Sequence, residues 1–157
     1  SSLSKRSNVP GMRSGFVAGD AAIMKKFLLY RTYHGCAMAP PVQTASIAAW
    51  NDEAHVLDNR NQYREKFAAC TPLIAEVLGT GMPDASFYLW AKTPIADTEF
   101  ARGLLEHYNV VVLPGSFLAR DVRGVNPGKN FIRIALVATL DECLEATHRI
   151  QQFAKQL

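Results

Sequence analysis

A chain of 157 residues that is 48% hydrophobic, 20% charged and 10% aromatic has the composition of a folded globular domain. Disordered, collagen-like and coiled-coil classes are excluded on that ground, and no apolar run is long enough to span a membrane. The 17 basic and 14 acidic residues leave a net charge of +3, and the basic residues are scattered, so no nucleic-acid surface is expected.

The first ordered signal is a short extended run, Ser14–Ala18, closed by Gly19-Asp20. Asp20 is placed to cap a helix whose apolar positions are Ile23, Met24, Phe27 and Leu28, with the stem of Arg31 beside them and His34-Gly35 as its stop. Pro40-Pro41 opens a second helix through Val42, Ala45, Ser46, Ala49 and Trp50, whose small residues predict close packing. Asn51-Asp52-Glu53 then caps a long helix with Val56, Tyr63, Phe67, Cys70, Ile74 and Val77 on one face. Pro72 falls inside that pattern and predicts a kink, and Gly79 and Gly81 predict its end.

Alternation of Ala85, Phe87, Leu89 and Ala91 against Ser86, Tyr88, Trp90 and Lys92 predicts a strand. Asp97 is expected to cap a helix from Phe100 to Tyr108, and Val110–Leu113 reads as a buried strand ended by Pro114-Gly115. Residues 119–130 read as a polar loop, and Phe131–Val137 as a further strand. Thr139 and Glu142 form a capping box for a last helix, with Leu140, Leu144, Thr147, Ile150, Phe153 and Leu157 on one face. From residue 51 onward this order gives a sheet with helices packed on it, whereas residues 1–50 read as an incomplete unit, so a piece of a longer protein is expected.

Cys36, Cys70 and Cys143 are odd in number and far apart, which argues against a disulfide framework and for a reducing, cytoplasmic setting. His34, His55, His107 and His148 show no zinc spacing, and no metal site is expected. Ser2-x-x-Lys5 matches a penicillin-binding motif whose Ser-Asp-Asn and Lys-Thr-Gly partners are missing. Gly124–Lys129 has the wrong glycine spacing for a phosphate loop, precedes a strand, and reads as a turn.

A longer pattern carries more weight. Ser2-Leu3-Ser4-Lys5 is followed, eight residues after the lysine, by Arg13-Ser14-Gly15, and Asn130-Phe131-Ile132-Arg133-Ile134-Ala135-Leu136 lies downstream. Together these resemble the active-site lysine segment and the carboxylate-binding strand of the class I/II, fold-type I aminotransferases. Further stretches (Ser2–Gly11, Leu29–Gly35, Val42-Gln43, Ala45–Trp50, Pro83–Tyr88 and Leu113–Gly115) resemble the succinyldiaminopimelate branch most closely. The resemblance spans this whole chain but only the C-terminal part of the family's length. It implies an α/β fold made of the end of the large cofactor domain (residues 1–50) and the smaller C-terminal domain (51–157), the latter including the long linking helix. It also implies a homodimer acting on small amino acids and keto acids.

The same resemblance assigns roles. Lys5 would hold pyridoxal 5'-phosphate and act as the catalytic base, which suits an amine whose pKa shifts readily on burial. Ser2 and Arg13, with Ser4 beside them, would grip the cofactor phosphate, and Arg133 would take the substrate carboxylate in a two-pronged pair. The implied reaction moves an amino group from glutamate to N-succinyl-2-amino-6-oxopimelate in diaminopimelate and lysine biosynthesis. The alternatives are an aromatic or aspartate-type aminotransferase, and a non-catalytic α/β interaction module. Tyr33, Tyr88 and Trp90 are expected to be packing residues, and Phe117 to line either the site or the core.

Overall fold

The computed structural model describes residues 1–35 and 37–157, so Cys36 lies outside the described residues. The chain forms two compact units, Ser1–Asn61 and Gln62–Leu157. The dividing point falls inside the long helix rather than at its start, because the first turns of that helix, with the buried Val56, belong to the first unit.

The first unit begins with a one-turn helix, α1 (Leu3–Arg6), and a 3-10 turn at Pro10–Met12. The expected strand at 14–18 reduces to a single bridge between Ser2 and Gly15, and Phe16 and Val17 are exposed. Gly15 is required there, since a Cβ would sit 2.7 Å from the carbonyl oxygen of Ser1. Helix α2 (Ala21–Tyr33) starts as predicted, with the Asp20 carboxylate accepting from the amides of Ala22 and Ile23. None of its residues is buried, and Tyr33, expected to pack, is exposed. Helix α3 (Pro40–Asn51) buries Ser46, whose hydroxyl lies 2.7 Å from that of Ser14, so the small-residue face does pack closely at that point.

The long helix α4 (Ala54–Ala75) runs through Pro72 and ends within its next turn, before the glycines expected to stop it. Strand β1 (Tyr88–Lys92) begins later than the alternation suggests, because Ser86 has φ 119°, outside extended geometry. Helix α5 spans Asp97–Tyr108. Strand β2 is only Leu113–Pro114, with Val111 exposed; proline donates no ladder hydrogen bond, which suits this edge position. A one-turn helix, α6 (Gly115–Leu118), follows, with Phe117 exposed rather than in the core. Strand β3 (Phe131–Ala135) lies between the other two in an antiparallel sheet of order β1-β3-β2.

Helix α7 (Leu140–Ala154) carries the full Thr139–Glu142 capping box, and Leu157, beyond its end, is exposed. One face of the sheet is covered by α4, α5 and α7. Phe67, Cys70 and Ile74 meet Leu89, Ala91, Ile132 and Ile134 on that face, together with Phe100, Leu104, Ile150 and Phe153. Cys70 and Cys143 are free thiols in this core, and burial is the main cause that pushes both pKa values up.

Ile132 sits in the middle strand and is fully buried. Ile132→Ala is expected to destabilise the second unit by about 2–5 kcal/mol, against less than about 0.5 kcal/mol for Val111→Ala on the surface. Urea unfolding of the two variants checks this; equal losses would show that the sheet face is not the core.

Candidate functional site

Four of the five residues singled out by sequence lie together in the first unit. Lys5 is exposed on α1, one residue before its end. Ser2 is the residue preceding α1, and its hydroxyl makes no capping bond. Among the described residues neither the Ser2 nor the Ser4 hydroxyl has a hydrogen-bond partner. Arg13 adopts a left-handed backbone (φ 51°), and its guanidinium donates to the carbonyl of Pro10 at 2.8 Å. The Ser2–Gly15 bridge, with the amide of Leu3 donating to the carbonyl of Ser14 at 3.0 Å, draws the Arg13 segment back against the start of α1.

Residues 1–19 contain no aspartate or glutamate. The local set is two hydroxyl donors, a guanidinium and an amine, on a segment that carries no carboxylate of its own, and these groups fit a phosphate dianion. An open groove of about 1080 Å³ borders Arg13, Phe16, Phe27 and His34, but Ser2, Ser4 and Lys5 do not line it. It is a largely apolar trough along α2 that shares Arg13 with the donor set.

Arg133 belongs to the second unit. Alternation along β3 sends Ile132 and Ile134 into the core and Phe131 and Arg133 to the opposite face. There the Arg133 guanidinium lies 5.4 Å from the centre of the Tyr88 ring, and Trp90 stacks on Phe131 at 5.6 Å. Trp90 and Arg133 are direct cross-strand partners. Tyr88, half-buried, and Trp90, exposed rather than packed away, thus flank a half-buried arginine as an aromatic platform. Among the described residues that arginine has no hydrogen-bond or ion-pair partner, so its forked donors remain available to a carboxylate.

The approach to β3 is held by a residue whose sequence role differs from its structural one. Asp97 is not the cap of α5; Ala96 is, and Asp97 is the first helical residue. Its side chain is buried and accepts from the amide of Ser116 at 2.9 Å and from that of Asn130 at 3.1 Å. Asn126 ties the same loop by donating to the carbonyl of Ser116 and accepting from the amide of Gly128. This part of the 119–130 loop is a hydrogen-bonded turn, as the sequence suggests. Gly115 and Gly128 pass so closely that a Cβ on Gly115 would lie 2.4 Å from the Gly128 carbonyl oxygen. Burial pushes the Asp97 carboxyl up, but hydrogen bonds from the Ser116 hydroxyl and from the amides of Ser116, Asn130 and Asp97 itself outweigh it and hold the pKa below the usual carboxylate value.

Sequence comparison decides which family the chain belongs to. The family model for aminotransferase class I and II matches residues 1–150. The chain belongs to this family. It uses pyridoxal 5'-phosphate, and its solved members share the fold-type I architecture seen here. An aminotransferase from Neisseria meningitidis superposes with a TM-score of 0.87 at 58% identity, covering 96% of this chain and 39% of that one. A structure from Thermus thermophilus described as a probable N-succinyldiaminopimelate aminotransferase superposes at 0.81 with 31% identity, covering 96% and 40%. A probable aminotransferase of Mycobacterium tuberculosis is 33% identical over 95% of this chain and 34% of its own length. The chain therefore spans between a third and two fifths of the length of these aminotransferases.

The Asp97 clamp makes a pH prediction. Its folded-state pKa lies below that of an unfolded aspartate, about 3.9. Its stabilising contribution is therefore present above that value and is lost as pH falls through the lower folded value. Asp97→Asn is expected to lower the urea midpoint of the second unit at pH 7, with the difference from the unaltered chain closing as pH drops below about 4. A difference that is constant from pH 7 to pH 3 would contradict the ionised clamp.

Proposed function

We propose that this chain supplies the cofactor lysine and the substrate-carboxylate arginine of an aminotransferase that transfers the amino group of glutamate to N-succinyl-2-amino-6-oxopimelate. The observation that carries the reading is that the Ser2–Gly15 bridge folds the segment bearing Ser2, Ser4, Lys5 and Arg13 back on itself. That segment has the chemistry a phosphorylated aldehyde cofactor needs, in a chain of the aminotransferase family. The whole protein acts as a cytoplasmic homodimer in this reading.

Bound at this segment, pyridoxal phosphate supplies a reactive carbonyl and an electron-withdrawing ring. The chain's own residues do the rest. The hydroxyls of Ser2 and Ser4 and the guanidinium of Arg13 hold the phosphate, so the lysine amine meets the carbonyl in a fixed orientation. Lys5 Nζ would anchor the cofactor and would be the base that takes the proton from the substrate α-carbon. Arg133 fixes the α-carboxylate by two parallel hydrogen bonds, which sets the direction of the bond to be broken. The aromatic platform of Tyr88, Trp90 and Phe131 limits solvent around that pair.

The substrate is the finer part of the proposal. It draws support from the stretches resembling the succinyldiaminopimelate branch and from the likeness to the probable N-succinyldiaminopimelate aminotransferase of Thermus thermophilus. A keto-acid panel on the whole protein tests it. Preference for N-succinyl-2-amino-6-oxopimelate is expected, whereas preference for oxaloacetate or an aromatic keto acid would place the protein elsewhere in the family.

Lys5→Ala in the whole protein is expected to abolish transamination while leaving the cofactor bound without a covalent link. Near-normal turnover would remove Lys5 from the mechanism. Arg133→Lys keeps the charge but loses the fork, so kcat/KM is expected to fall by about tenfold to more than a hundredfold, equivalent to roughly 1.5–3 kcal/mol. A silent substitution would make Arg133 structural.

A further inference from the structure

The residues immediately after Lys5 are fastened to a distant part of the first unit. The guanidinium of Arg6 donates to the carbonyl of Ala49 at 2.7 Å and approaches those of Asp52 at 3.4 Å and Trp50 at 3.5 Å. It also pairs with Glu53 and lies 4.9 Å from the centre of the Trp50 ring. A cation thus sits on the carbonyl end of α3, where the helix dipole is negative. The next residue, Ser7, ends α1, its amide donating to the carbonyl of Leu3 at 3.0 Å. The Ser7 hydroxyl lies 2.8 Å from Nε2 of His55, and Nδ1 of His55 lies 2.8 Å from the Asp52 carboxylate. The other Asp52 oxygen accepts from the amide of Ala54 at 2.9 Å, at the start of α4.

This chain has a direction. The His55 hydrogen bond, followed by that of the Ala54 amide, holds the Asp52 carboxyl below its usual pKa, so it is ionised at neutral pH and can only accept. Nδ1 of His55 must then carry the proton. In the neutral ring Nε2 is left as the acceptor, and the Ser7 hydroxyl donates to it. A solvent-exposed imidazole favours the opposite tautomer, so the arrangement has a recognisable signature.

We propose that His55 is a positioning residue for Lys5. Oriented by Asp52, it holds the Ser7 hydroxyl and, with Arg6, locks the lysine-bearing turn to the junction of α3 and α4. The proposal rests on the reading of Lys5 as the cofactor lysine. His55 acts through Ser7, the residue that closes α1. The lysine turn is one helical turn long and too short to hold its own geometry. Without an external fastening, Lys5 Nζ would sample positions unsuited to the substrate α-carbon, and misplacement of this kind costs up to about a hundredfold in rate.

The test uses the whole protein and Ser7→Ala, Asp52→Asn, His55→Phe and the Ser7→Ala/His55→Phe pair. Three readouts are taken: the ¹⁵N spectrum of His55 at pH 8 without cofactor, hydrogen exchange at the amides of Ser7 and Val9, and kcat with KM. Both amides bond to the carbonyl of Leu3, and the amide of Met24 in α2 serves as a folding control. The expected result is a His55 proton on Nδ1 that moves to Nε2 in Asp52→Asn. Exchange at Ser7 and Val9 should rise about tenfold in Ser7→Ala and in His55→Phe, with Met24 unchanged. kcat should fall about tenfold or more while KM for glutamate changes less than about twofold, and the pair should be no worse than either single variant. An Nε2 proton in the unaltered protein, unchanged exchange in Ser7→Ala, or additive losses in the pair would overturn the positioning role alone. Full turnover in Lys5→Ala would overturn the functional reading of Lys5 and this role with it.

Discussion

The second unit depends on the two-residue alternation of β3. The strand is paired on both sides, so its register is fixed by β1 and β2 together. Ile132 and Ile134 must face the helices, because their burial holds the sheet to α4, α5 and α7. Arg133 has no choice but the opposite face. A slip of one residue would bury a guanidinium without a partner and expose two isoleucines, and both errors are costly. The same constraint that builds the core therefore delivers the arginine, flanked by Trp90 across the strand and by the Tyr88 ring. Asp97 extends this control to the loop leading into the strand, since one buried carboxylate holds amides from Ser116 and Asn130 at once.

The first unit is organised differently. Among the described residues it has no sheet, and α2 has no buried residue. Its lysine turn is held by polar fastenings rather than by burial: a single bridge at Ser2, an arginine on the end of α3, and the Asp52–His55–Ser7 chain. Directional bonds of this type fix the geometry of a short segment, which suits the role proposed for Lys5. Leu3 is the exception, fully buried directly between Ser2 and Ser4.

Sequence reasoning reached the features whose signals are local. The Asp20 cap, the Thr139–Glu142 box and the core faces of α4 and α7 follow from residues a few positions apart. The errors have the opposite character. Asp97 looks like a cap because acidic residues at helix starts usually are, but its partners lie 19 and 33 residues away. His55 reads as one more isolated histidine, since its contact with Ser7 spans 48 positions. The strands are shorter than the periodicity suggests: Ser86 leaves extended geometry ahead of β1, and of residues 110–113 only Leu113 joins β2, with Val111 exposed. Alternation reports burial; it does not report where the ladder stops.

The central claim is that Lys5 carries the cofactor. It is tested most directly by treating the cofactor-loaded whole protein with borohydride, which fixes a lysine-bound pyridoxal phosphate irreversibly, and then mapping the modified peptide by mass spectrometry. The account predicts one phosphopyridoxyl group per chain, on Lys5 in the segment Ser1–Arg6. A label found on Lys25, Lys26, Lys129 or any other lysine, or no label at all in a protein that is catalytically active, would contradict it.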